Sequence, residues 1–585
     1  MTRISSNLLP GAASAIFLIT AAVACGRSAP PPPAAPSGAA AFDRVARDVL
    51  QDHYRRHPTH ATDLGIHAGD AQLEDDGREA VAAELDAMRT FRAQIAAIDS
   101  STLDLDRQLD REQLIHALDS AVLTLDVIKP LTKDPDRYSS GITNAAYVLM
   151  KRNFAPPAER LKSLIARERK MVGVLEEARR NLDQPPRIYT EIAIEQIDGN
   201  RRFFQNDVPA AFSEVKDEAL INEFRRTNGA VVAALGEYKT YLEKTLLGRS
   251  NGTFALGAET YVKLLAADET IDLPLDRLLD MAEDDRRKND QAFVATARTI
   301  DATKSASQVL AAIQRDRPAP DRLLKTTQDT LDSLRQFITD HHIVTIPTSE
   351  ALNVSETPPF RRSTTTASMD TPGPFETVAR QAYYYMTLPD PRWSAARQAD
   401  YMKQWYLPAI VNVSVHEVYP GHYLQFLYDR QFPSDVRRVY GTSSNIEGWA
   451  HYAEQMMLDE GFHADDPRYR LAQLQDALLR DIRFIVGIKM HTQGLTVDEA
   501  TKLFVTQAYQ PEPVARQESK RGTSDPTYGY YTMGKLMILK LRDDYKAKQG
   551  VSYTLQGFHD AFIKIGPLAL PLVRRSMLGE TGQIF

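Results

Sequence analysis

Apolar residues recur at helical spacing through most of the first 340 residues, and that period restricts the chain to a mostly α fold. In the clearest stretch Leu161, Leu164, Ile165, Glu168, Val172, Leu175, Ala178 and Leu182 step by i, i+3, i+4 and i+7, with Arg, Lys and Glu between them. Pro156-Pro157 precedes this stretch and Pro185-Pro186 follows it, fitting a helix start and stop. Similar amphipathic stretches cover about 42–56, 76–98, 107–127, 210–246, 257–266, 275–297 and 320–339, with no fixed-period repeat. Such stripes are packing surfaces and carry no chemistry of their own.

Between 341 and 390 the character changes. His342–Ile346, Thr364–Ala367 and Tyr383–Leu388 are short β-branched or aromatic runs separated by Pro and Gly, which predicts a small antiparallel sheet. An edge strand there could pair with an extended peptide, and a purely structural sheet fits the runs equally well. Helices are expected over 445–459, 467–492, 532–548 and 555–564, with another opened by a capping box at Thr496 and Glu499. The expected division is a signal segment (1–24), a tether (25–41), an N-terminal helical region (42–340) and a region holding the site residues (341–585).

A chain of 585 residues can bury a large core. Its net charge of −7 gives nothing that steers it toward nucleic acid. A single cysteine excludes a disulfide framework, a Cys-based zinc site and an iron–sulfur cluster. The position of that cysteine is informative. Residues 1–24 carry Arg3, an apolar run from Ala12 to Ala24 and small residues up to Cys25, the shape of a secretory signal too short to span a bilayer. A Cys after small residues resembles a bacterial lipobox, which would make Cys25 a lipidated membrane anchor. Ordinary signal cleavage with an incidental Cys is the alternative. Gly26 rather than Asp at the next position points to an outer-membrane lipoprotein facing the periplasm. Ala29–Ala41 is rich in Pro and Ala and reads as an extended tether.

The chemistry concentrates in Val-Asn-Val-Ser-Val-His-Glu-Val-Tyr-Pro-Gly-His-Tyr-Leu-Gln, residues 411–425. His416, Glu417 and His422 supply two neutral nitrogens for a metal ion and a carboxylate to take a proton from water, as a one-zinc hydrolase needs. The usual helical motif spaces its His residues at i and i+4. Here they are six apart, and six steps of about 100° would splay them on an unbroken helix. Pro420-Gly421 between them reads as a two-residue insertion that bulges the helix and returns His422 to the metal. A third ligand must come from elsewhere. Glu447 and His451 share a helix face about 40° apart, so either could complete the set. Glu454, a turn further on, could hold a ligand His in place. Tyr528, Tyr530 and Tyr531 crowd one loop with Lys520 and Arg521, offering donors to a developing oxyanion. Arg521 could also bind a substrate carboxylate, with Tyr528 beside it, or simply pair with Glu518. No Gly-x-Ser-x-Gly elbow supports a serine nucleophile.

His-Glu-Val-Tyr-Pro-Gly-His-Tyr-Leu-Gln followed by Glu-Gly-Trp-Ala-His-Tyr-Ala-Glu resembles the bacterial family catalogued as domain of unknown function 885. A later run resembles it too: Glu518-Ser-Lys-Arg521, Asp525-Pro526, then Tyr531-Thr-Met-Gly-Lys535, except that Thr527-Tyr528 stand where Gly-Gln is usual. That family is regarded as gluzincin-like, which implies a large helical metallopeptidase-like fold with a deep cleft. It implies Zn2+ held by His416, His422 and Glu447, with Glu417 as general base. Tyr531 would then stabilise the oxyanion with zinc, His451 would either support the ligands from behind or help stabilise the oxyanion, and short peptides would be the substrates. The alternatives are an amidase acting on cell-wall or small-molecule substrates, and a non-catalytic envelope peptide-binding lipoprotein.

Overall fold

A computed structural model of the chain describes residues 38–347, 352–358, 362, 365–580 and 582–585. The signal segment, Cys25 and the tether up to residue 37 lie outside them. A helix already begins at Gly38 and runs to Arg56, so the last residues assigned to the tether are helical.

The expected helices are present, and their apolar faces meet in three cores. Helix Pro157–Asn181 carries the stripe Leu161, Leu164, Ile165, Leu175 and Ala178 on its buried face. It packs with Asp136–Met150 and Glu218–Tyr241 around Phe204, Val231 and Leu235. Helix Gly38–Arg56 closes with Arg78–Ala96 and Leu105–Leu123 over Phe42, Val49, Ile95 and Leu114. The largest core joins Leu278 and Phe293 of helix Leu275–Ile300 to Val415, Trp449, Ile482 and Met537. Each such side chain contributes about 1.5–3 kcal/mol by leaving water, so packing outweighs helix propensity here.

At the centre of the largest core runs helix Pro467–Thr492, buried along most of its length. It touches helices Leu275–Ile300, Leu407–Glu417, Ser443–Asp459, Glu512–Ser524 and Tyr530–Gln549. Every helix that bears a site residue except the short one at His422–Phe426 therefore leans on one rod.

The sheet departs from expectation. Its strands are β1 (Leu352–Glu356), β2 (Ala367–Asp370) and β3 (Ala382–Met386), in the order β1-β3-β2. β3 pairs parallel to β1 and antiparallel to β2, so the sheet is mixed rather than antiparallel. Residues 342–346 form no strand, and β1 lies just after them. The reason is burial: β3 buries Ala382, Tyr384, Tyr385 and Met386 and takes the centre. The more polar β1 and β2 occupy the edges.

Candidate metal centre

The motif helix spans Leu407–Glu417 and stops one residue after His416. Beyond it the backbone loops outward. The N–H of Gly421 donates to the Val415 carbonyl at 3.0 Å, and that of Leu424 donates to Val418 at 3.2 Å. Each of these bonds spans six residues instead of the four of an α-helix, which is the mark of two inserted residues. Helix resumes at His422–Phe426. Only glycine fits at 421, where a Cβ would overlap the carbonyl oxygens of His416 and Val415. The Pro420 carbonyl accepts from Trp449 Nε1 at 2.8 Å, pinning the bulge to the helix that bears Glu447. As a result the His416 and His422 rings stand 4.7 Å apart and nearly perpendicular, rather than on opposite faces.

Glu447 projects from helix Ser443–Asp459. The fully buried Glu269 caps the start of that helix, taking the Ser444 N–H and hydroxyl; burial pushes its carboxyl up to about 8. Gly448 packs against Gly534 so closely that a Cβ on either would overlap the other helix. This approach brings Tyr531 of helix Tyr530–Gln549 to within 6.2 Å of the His416 ring, centroid to centroid.

Glu447 Oε2 lies 3.3 Å from His416 Nε2 and 3.3 Å from His422 Nε2. All three candidate ligand atoms fall within 4.8 Å of one another, a geometry no other trio of His, Cys, Asp or Glu reaches among the described residues. Two donors each about 2.1 Å from one tetrahedral zinc would sit about 3.4 Å apart, so the spacing fits one shared ion. The buried Glu447 Oε2 also lacks a hydrogen-bond partner. Burial opposes its charge, but His422 and His416 outweigh that and hold its carboxyl well below the usual range. The donor set and the orphaned oxygen both suit a divalent cation.

Behind His416 lies an enclosed polar shell. His416 Nδ1 donates to Glu454 Oε1 at 2.7 Å, which leaves Nε2 free to face Glu447. Arg480 clamps both Glu454 oxygens, at 2.8 and 3.0 Å, and Asn412 donates to one of them at 3.2 Å. Burial disfavours the Glu454 carboxylate, but Arg480 and the two histidines keep it ionised. Glu454 could be found from sequence, since seven residues past Glu447 returns within about 20° of the same face. Arg480 and Asn412 carry no such signal.

His451 does not belong to the ligand group. It is fully enclosed, with its Nδ1 3.4 Å from Glu454, and burial together with Arg480 lowers its pKa to about 3. Of the two roles expected of it, this placement fits the one behind the ligand atoms, beside Glu454.

On the other side of the triad Glu417 is half-buried, and its Oε2 accepts from the Met369 N–H of β2 at 3.2 Å. The Tyr531 hydroxyl stays protonated, because burial and then Glu447 raise its pKa. Arg483 covers its ring at 5.0 Å and pairs with Glu518 at 2.7 and 2.8 Å. Arg521 therefore does not pair with Glu518; it holds Asp525 at 3.0 Å and the Tyr530 hydroxyl at 3.0 Å, and remains about a third exposed. Tyr528 is wholly buried against Gly487 and Gly522, so it is packing rather than a substrate contact.

These features mark a helical protein with a His, His, Glu centre beside a small sheet. The chain belongs to the family described as bacterial protein of unknown function (DUF885), which it matches over residues 58–577. It is similar in structure to a protein from Shewanella oneidensis, described provisionally as a lipoprotein of unknown function, with a TM-score of 0.78 and 24% identity. That match covers 92% of this chain and 99% of the other. A second, provisionally described as a lipoprotein from Colwellia psychrerythraea, matches with a TM-score of 0.79 at 17% identity, over 92% and 99% of the two chains. No curated protein matches the chain.

Proposed function

We propose that this protein is a zinc-dependent, gluzincin-like hydrolase that cleaves peptide bonds in short peptides. The observation that carries the reading is the convergence of His416, His422 and Glu447 with Glu417 next in sequence to a ligand. Zinc, when bound by these three residues, would polarise a carbonyl and acidify a water. Glu417 would accept the proton of the attacking water and deliver it to the leaving amine. Tyr531 would donate its hydroxyl to the carbonyl oxygen as charge grows there. The outer edge of β2, whose Met369 N–H already faces Glu417, would pair with an extended substrate backbone. Arg521 offers a partly exposed guanidinium for a substrate carboxylate.

The same reading places the protein in the envelope. Ala22-Val-Ala-Cys25 resembles a lipobox, and the two structural relatives are provisionally described as lipoproteins. No helix among the described residues is long and apolar enough to cross a membrane, so a lipid on Cys25 would serve as the anchor.

The test is metal content by mass spectrometry with turnover of a mixed oligopeptide pool. Wild type should carry about one zinc per chain, lost in Glu447→Ala. Glu417→Gln should keep the zinc and lose about 10²–10⁴-fold in rate. A wild-type protein that takes up no metal when zinc is supplied would overturn the hydrolase and favour a peptide-binding lipoprotein.

A further inference from the structure

The sheet ends in a cavity that the metal centre does not use. It has a volume of about 520 Å³ and is lined by Lys151, Arg152, Asn153, Arg380, Gln381 and Tyr383, with the exposed Val378 among the others. Three of its lining residues are cations and none is a carboxylate. Arg152 is 7% exposed, and its Nε finds no hydrogen-bond acceptor. Its Nη1 donates to the Gln381 carbonyl, and its Nη2 lies 2.9 Å from Asp370 Oδ1. Lys151 pairs with Asp63 and lies 3.6 Å from Asp370. A buried guanidinium with an unused donor is costly, and it is stabilised when an anion arrives to accept from it.

The cavity is tied to the metal centre by two routes. Asp370, which holds Arg152 and Lys151, follows Met369, whose N–H holds Glu417. Along a strand these neighbours are about 3.3 Å apart. Arg380 also lines a second cavity, of about 170 Å³, with Tyr423, Phe426 and Leu427 along its wall. Phe426 stacks on the His422 ring with centroids 6.0 Å apart. The basic cavity thus lies one step along β2 from Glu417 and one cavity away from His422.

We propose that this cavity is an anion-binding subsite for the carboxylate of an acidic residue in the peptide substrate, set off from the bond that is cleaved. The inference rests on the peptide-hydrolase reading above. It adds that substrates carry an Asp or Glu at one fixed distance from the scissile bond.

The experiment is calorimetric titration of the Glu417→Gln protein with pentapeptides that carry Glu or Gln, scanned through each position. The Glu peptide should bind at least about 10-fold tighter in one register. Arg380→Gln should reduce that advantage to under about threefold and leave the Gln peptide unchanged. Arg152→Lys is the second variant, since it keeps the charge beside Asp370 while withdrawing the Nε donor, and it should weaken only the Glu peptide. Equal affinities in every register, or a preference that survives both variants, overturn the subsite. So does inorganic phosphate binding as tightly as the Glu peptide, because the cavity would then serve free anions. The wild-type protein separates the two proposals: turnover of both peptides without a Glu preference sinks the subsite and leaves the hydrolase. A Glu preference in binding without turnover or metal sustains the subsite and sinks the hydrolase.

Discussion

His53, His57 and His60 follow one another at i, i+4 and i+7 through two nearly continuous helices, whereas His416 and His422 sit six apart across a break. By spacing alone the first set is the better metal motif. In the structure its rings serve each other instead. His53 Nε2 lies 2.8 Å from His60 Nδ1, and His57 Nε2 lies 2.8 Å from Glu84. The nearby Glu74 has both oxygens taken by the Thr59 N–H and hydroxyl. A cavity of about 390 Å³ opens here, larger than the 170 Å³ beside the His422 helix, so cavity size does not find the chemistry either. What separates the two clusters is convergence: the broken helix aims two nitrogens at a carboxylate oxygen that nothing else satisfies. In this chain the regularly spaced imidazoles of the first cluster turn to each other and to Glu84, whereas the two-residue bulge aims its pair at one carboxylate oxygen.

The comparison breaks most sharply at Gly421. Gly421→Ala places a methyl group on the carbonyls that close the bulge, so the loop must open. The expected result is a loss of about 3 kcal/mol in unfolding free energy together with loss of bound zinc. Denaturant titration and metal content measure the two effects. Retained zinc at wild-type stability would show that the bulge does not hold His422 in place.

A smaller effect should follow from the shell behind His416. Glu454→Gln keeps the shape of the contact and removes the charge that sets the His416 ring. Zinc affinity, measured by chelator competition, should fall about 10–100-fold with the fold intact. An unchanged affinity would reduce Glu454 to a partner of Arg480. The His53 cluster has no such outer carboxylate on its imidazole pair, which is the second respect in which the clusters differ.

Much of this was legible in the sequence, for reasons that differ by element. Long amphipathic helices announced themselves because burial imposes the period, and Thr496 with Glu499 caps its helix as the spacing predicted. Helix Asp136–Met150 gave little signal: Ser139, Ser140, Gly141 and Thr143 are weak helix formers that tertiary packing overrides. Sheet order was not legible, because the partner of β3 is decided by which strand can be buried on both sides. At the site, His416, Glu417 and His422 stood out as candidates within seven residues, whereas spacing left Glu447 and His451 open and only the family resemblance singled out Glu447. The placement of Arg480, Met369 and Arg521 depends on contacts between distant segments, and no local pattern encodes those. Helical phase places His451 beside Glu447 and says nothing about which of the two lies in the core, so spacing alone could not divide the roles between them.

The mildest test sharpens the comparison from the side of the first cluster. Burial lowers the His53 pKa from 6.5 to about 3, helped by His57 and His60. The fold therefore favours the neutral ring, while the unfolded chain takes up a proton near 6.5. For a depressed histidine this stability is fully present above the unfolded value and is lost as pH falls from 6.5 toward 3. His53 alone should cost about 2 kcal/mol between pH 7 and pH 5. His53→Gln, which cannot be charged in that range, should remove most of that slope when denaturant midpoints are compared at the two pH values. Zinc content should not change in the variant. If the slope persists, His53 takes up its proton within the fold as readily as in the unfolded chain, and the cluster is not held neutral. If zinc falls instead, the first cluster takes part in metal binding and the contrast drawn between the two fails.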